Sequence, residues 1–135
     1  MRRGQVALEY IAIIGLALLI STPLVIEAQE SSQSLRDSFN NGLAKNALNN
    51  MEEAASLVNS QGPPAKTTFK IRLPPGITQT NVTDQYFHIR RDIGDGSTDF
   101  YNTVDFDVNG SIPTGAGVHT MVAEAENDYV NVTEQ

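Results

Sequence analysis

Three groups of side chains in this sequence have the types and spacing to do chemistry. The first is the acidic run DIGDGSTD, which gathers Asp92, Asp95 and Asp99 around two glycines. Carboxylate oxygens on a glycine-containing loop suit a hard cation such as calcium. The spacing departs from the EF-hand loop, and Asp-Gly is ordinary tight-turn chemistry. A solvated hairpin is therefore the preferred reading, with the three aspartates kept as weak calcium candidates and no metal assigned. The second group is the pair of histidines, His88 and His119, each in a strand-like stretch and distant from the other in sequence. A lone strand histidine is read as a surface or satisfied residue before it is read as a ligand or base. The third is a set of three Asn-x-Ser/Thr triplets at Asn81, Asn109 and Asn131, candidate sites of N-glycosylation.

Other chemistry is missing. There is no cysteine, which removes disulfides, thiolate metal sites and cysteine nucleophiles. No glycine-rich phosphate loop follows a strand, and no G-x-S-x-G nucleophile elbow occurs. The reading is of a protein that is not an enzyme and takes no cofactor. The formal net charge is −7, and all of the Lys and Arg residues fall at or before Arg91. Phosphate binding needs clustered Lys and Arg on one face, so nucleic acid is not an expected partner.

The elements that must carry these residues follow from hydrophobic periodicity. From Lys66 onward the period is two: TFKIRL, YFHIR, TVDFDV, VHTMVA and YVNVT all alternate or are rich in β-formers. Asn109-Gly110 reads as a hairpin turn, and LPPG at 73–76 ends the first strand. Alternation with one wet face predicts an antiparallel sheet. Before it, Leu35, Phe39, Leu43, Ala47, Met51, Ala54 or Ala55, and Val58 recur at helical spacing, an amphipathic stripe that would dock on the sheet. Gly62 followed by Pro63 and Pro64 stops that helix. The fold class expected is α+β: a long helical spine running from about Gln5 to Asn59, with a small antiparallel β head.

The spine begins in a different character. From Val6 to Ile26 the chain is almost wholly apolar, and Glu9 is the only carboxylate. Its length as a helix, about 30 Å, matches a bilayer core. Arg2 and Arg3 ahead of it keep the N-terminus cytoplasmic and send the remainder outward. A carboxylate in hydrocarbon costs at least ~2–3 kcal/mol, so Glu9 asks for a partner. A secretory signal peptide would explain the apolar run, but cleavage after Ala28 has Glu27 and Ile26 where small residues belong. A plain single-pass anchor has the right length and leaves Glu9 without a role.

The stretch RRGQVALEY resembles the class III signal peptide of archaeal type IV pilins. Those begin with a short basic leader ending in Gly, followed by Gln and then a Glu-Tyr pair ahead of the apolar helix. Here these are Gly4, Gln5 and Glu9-Tyr10. Ala7 stands where the family often has Ser. The resemblance covers about the first 26 residues at motif level and the rest by architecture alone.

The resemblance implies a type IV pilin-like fold and a division into a leader at 1–4, a membrane and filament-core helix at 5–26, an amphipathic continuation at 27–60, a linker at 61–65 and an extracellular β-rich head at 66–135. It implies cleavage by a prepilin peptidase between Gly4 and Gln5. Assembly through Gln5, Glu9 and Tyr10 with copies of itself or other pilins would follow, by the pilus assembly machinery. In such a bundle Glu9 would face the new α-amino group of a neighbour, and the paired ions would set axial register. Cyclisation of Gln5 to pyroglutamate would remove that cation. The precursor would sit in the cytoplasmic membrane with its head outside, and the filament would serve adhesion, with N-glycans a feature the family carries. The alternative is a non-polymerising single-pass or secreted cell-surface binding protein.

Overall fold

The computed structural model describes residues 2–135. Helix α1 runs unbroken from Arg2 to Gln61, with Pro23 inside it. Seven strands follow: β1 Lys66–Leu73, β2 Ile77–Thr83, β3 Tyr86–Ile93, β4 Gly96–Thr103, β5 Val108–Gly110, β6 Gly117–Ala125 and β7 Val130–Glu134. The α+β class expected from the periodicity is the one found. The chain divides into two units, Met1–Asp37 and Ser38–Gln135.

The first unit is helix alone. Every residue from Arg2 to Arg36 is exposed. Pro23 has no N–H to donate, a break in the ladder that membrane helices tolerate. Just before it, Ser21 Oγ donates to the Ala17 carbonyl at 2.7 Å and Thr22 Oγ1 to the Leu18 carbonyl at 2.8 Å. Both hydroxyls are thus satisfied within the helix, as an apolar environment demands.

In the second unit the last turns of α1 bury Ala44, Ala47, Leu48, Met51, Ala54, Ala55 and Val58. They join Ile71, Leu73, Phe87, Ile89, Met121, Val130 and Val132 in one hydrophobic cluster. The predicted stripe is therefore correct from Ala47 onward and wrong at its start: Leu35 and Phe39 are 69% and 64% exposed. Steps of four residues overshoot a full turn by about 40° each, so three of them, from Leu35 to Ala47, rotate off the face by about 120°. The helix ends where expected. Gly62 takes a positive φ of 74° and its N–H closes on the Val58 carbonyl at 3.0 Å, a glycine cap.

The strands form two sheets, β1-β6-β7-β5 and β2-β3-β4. β1 pairs antiparallel with β6 from Lys66↔Glu124 to Leu73↔Gly117. β2, β3 and β4 make a meander. Its first turn uses Asp84 at φ 51° and its second uses Gly94 at φ 54° with Asp95.

Three strand expectations need correction. TVDFDV is not a strand: β4 ends at Thr103, and 104–107 are irregular although Val104 and Phe106 still turn inward. Their backbone is engaged elsewhere, Val104 N–H on the Gln85 carbonyl at 2.9 Å and the Asp107 carbonyl accepting from Val130 N–H at 2.9 Å. Asn109-Gly110 is not a hairpin turn but the end of β5, which runs parallel to β7 and so breaks the all-antiparallel expectation. Gly110 has φ 141°, and a Cβ there would lie 1.8 Å from the Val132 carbonyl oxygen. The glycine serves close approach of two strands rather than a turn. Strands β2 and β4 had no counterpart in the sequence reading, because ITQTNVT and GSTDFYNT are too polar and Thr-rich to show clean alternation.

Candidate functional site

The residues attributed to assembly lie on the first unit. Gly4, Gln5, Glu9 and Tyr10 are all in α1 and exposed, and the Gly4–Gln5 junction is unencumbered, with nothing within 4 Å of a Cβ built at Gly4. Met1 of the leader lies outside the described residues. Gln5 and Glu9 are four apart and share a helix face. The apolar residues around them, Val6, Leu8, Ile11, Ile13, Ile14 and onward to Ile26, are 48–72% exposed. A helix that is apolar all round is the pattern of a membrane span or of a buried helix. By length and composition α1 is able to cross a membrane.

The histidines and the three candidate aspartates belong to the second unit. Arg90 and Asp99 are register partners on β3 and β4. Arg90 Nε and Nη2 donate to Asp99 Oδ1 and Oδ2 at 2.8 and 3.0 Å, a bidentate fork. His88, buried, lies 2.7 Å from Asp99 through Nε2. The guanidinium first, and His88 second, hold the Asp99 carboxyl down at about 2. Arg90 is in turn pushed further up by Asp99.

The run Asp92, Asp95, Asp99 is thereby divided. Asp92, next to last in β3, accepts from Thr78 Oγ1 at 3.5 Å, and Asp95 sits in the β3–β4 turn. Asp99 faces Arg90 two ladder positions along. Among the described residues no group of three or more acidic or histidine side chains is placed to hold a metal.

His119 is held by a second constellation. Its Nδ1 is 2.6 Å from Glu134 Oε1 and its Nε2 is 2.7 Å from the Gly115 carbonyl. Both neighbours are acceptors, so both ring nitrogens must donate, which favours the charged imidazolium. Glu134 above all raises the His119 pKa, burial opposes, and the Gly115 carbonyl adds to the rise.

The three glycosylation triplets differ in setting. Asn81 is exposed on β2, the edge strand of its sheet. Asn109 on β5 and Asn131 on β7 are register partners, and Asn131 is half-buried in an interior strand.

One anchoring residue was not anticipated. Arg91, 5% exposed, donates through Nε to the Pro75 carbonyl at 3.0 Å and through Nη1 to Asn41 Oδ1 at 3.1 Å. Its sequence signal was the position itself: in YFHIRR the second arginine falls on the inward phase with Phe87 and Ile89.

No family model, no curated protein and no solved structure matches this chain.

Proposed function

We propose that this chain is the structural subunit of an archaeal type IV pilus-like surface filament serving adhesion. A prepilin peptidase cuts after Gly4. Residues 5–26 hold the precursor in the cytoplasmic membrane, with the Ser38–Gln135 unit outside, until the helix moves into the filament among its copies. The observation that carries this reading is the exposed helix with one carboxylate: apolar side chains at 48–72% exposure surround Glu9, whose side chain makes no hydrogen bond or ion pair among the described residues. Bilayer and helix bundle are both apolar, so the transfer costs little hydrophobic burial. The bundle adds what the bilayer lacks, a cation for Glu9 in the form of a neighbour's α-amino group.

The test is the N-terminal mass of the protein recovered from cell surfaces. A chain beginning at Gln5, free or as pyroglutamate, is the expected result. A chain beginning at Met1 overturns the reading in favour of a plain single-pass anchor, and one beginning near Gln29 in favour of a secreted binding protein.

A further inference from the structure

The outer face of the three-stranded sheet carries a group of rings beside one of the triplets. Asn81 is the register partner of His88, and Thr83, two residues on and on the same face, is the partner of Tyr86. Asn81 Nδ2 reaches Tyr86 Oη at 3.4 Å. Tyr86 meets Tyr101 edge-on with centroids 6.2 Å apart, and His88 stacks on Tyr101 at 4.5 Å and 20°. Asp99, itself clamped by Arg90, fixes the His88 ring in that stack. Tyr101 nevertheless leaves 58% of its surface open.

We propose that Asn81 is N-glycosylated and that its first sugar packs against the open rings of Tyr86 and Tyr101, the second of which is backed by the buried His88. A pyranose has one face of C–H groups, which lies well on an aromatic ring, and a hydroxyl rim, which needs polar neighbours. The tyrosine hydroxyls supply such neighbours at the ring edge. The ring group is pre-organised by the sheet, so docking the sugar orders little that is not already ordered. In the transfer, Asn81 Nδ2 bonds to the anomeric carbon of a lipid-linked glycosyl phosphate as the anomeric C–O bond breaks. The lipid phosphate leaves with the bonding pair, one carboxamide proton passes to a base of the transferase, and the other remains on the new amide.

The other two triplets lack this setting. Asn109 and Asn131 project side by side from paired strands, where two glycans would collide, and Asn131 is half-buried in an interior strand. Among the described residues neither asparagine side chain hydrogen-bonds to a ring hydroxyl, as Asn81 does to Tyr86.

The inference rests on the outward placement of the Ser38–Gln135 unit and not on filament assembly. Glycopeptide mass mapping of the full-length chain, paired with protease shaving of intact cells, tests it. The expected result is a shaved chain whose Asn81 peptide carries a sugar mass that Asn81→Gln abolishes. A chain protected from shaving overturns the outward placement and the modification together. A shaved chain with a bare Asn81 peptide overturns the modification alone. Docking is read from melting temperatures of the full chain in detergent. Asn81→Gln should lower Tm by about 4 °C in the otherwise unaltered chain and by less than about 1 °C when Tyr101→Ala is present. Tyr86→Phe, which keeps the ring, should preserve most of the difference. Equal losses with and without Tyr101 overturn the packing.

Discussion

The imidazole of His119 holds the carboxylate of Glu134 at 2.6 Å, tying β6 to the last residues of β7 while its other nitrogen reaches back to the Gly115 carbonyl. The pKa of His119 is raised above 6.5 in the fold, chiefly by Glu134. Its contribution to stability is accordingly full below pH 6.5 and fades as pH climbs through the folded value. Histidine NMR should give His119 a titration midpoint above 6.5. Glu134→Gln should bring that midpoint down and flatten the pH dependence of unfolding in the same window. An unchanged midpoint in the variant would remove Glu134 as the cause.

Asp99 shows the opposite sign. Its carboxyl is lowered from 3.8 to about 2 by Arg90 and then His88. The stabilisation it provides is present above 3.8 and disappears as pH falls toward 2. Carboxyl-carbon NMR should find Asp99 still ionised at pH 3, and Arg90→Gln should return its midpoint toward the ordinary range. A wild-type midpoint near 4 would contradict the fork geometry.

Gly110 is a harsher test of topology. With an added Cβ 1.8 Å from the Val132 carbonyl oxygen, Gly110→Ala must separate β5 from β7. The φ of 141° adds backbone strain. The expected loss is about 3 kcal/mol or more by chemical denaturation, or failure to fold. A variant as stable as the parent would mean that the parallel β5–β7 pair is misplaced.

Two apolar residues nine apart on α1 should respond differently. Leu48 is 1% exposed and sits in the core, whereas Phe39 is 64% exposed. Leu48→Ala should cost about 2–5 kcal/mol of folding stability. Phe39→Ala should change it by no more than ~0.5 kcal/mol. Both are read by denaturation of the full chain in detergent. Equal effects would show that the buried face begins earlier than Ala44.

The proposed function assigns Glu9 to assembly and not to membrane insertion. Glu9→Ala makes the apolar run more hydrophobic, so membrane insertion of the precursor and cleavage after Gly4 should persist. In the proposed filament this substitution removes the register ion pair, so filament yield, by shearing and electron microscopy, should fall at least tenfold. Filaments of normal yield and symmetry from Glu9→Ala would take the register role away from it.

Much of this protein is decided locally. The helix, expected from about Gln5 and found from Arg2, its stop at Gly62, and the strands over TFKIRL, YFHIR, VHTMVA and YVNVT each follow from a period and a breaker within a dozen residues, because propensity and burial agree there. The apolar run with its lone Glu9 and the Asn-x-Thr triplet at Asn81 were likewise legible as residue patterns, although the neighbours of Asn81 were not.

The rest depended on pairing between distant segments. Val104 and Phe106 alternate as a strand would, yet the Val104 N–H closes on the Gln85 carbonyl and the adjacent Asp107 carbonyl on β7 rather than on a continuing ladder. Asn109-Gly110 has turn chemistry, and only the approach of Val132 shows why glycine is needed. Asp92, Asp95 and Asp99 read as one cluster until register with Arg90 drew Asp99 away, and His88 and Tyr101 met only because β3 and β4 align as they do. Hydrophobic period states which face a residue shows. Which partner it meets on that face is set by strand register, a relation between segments that no local window contains.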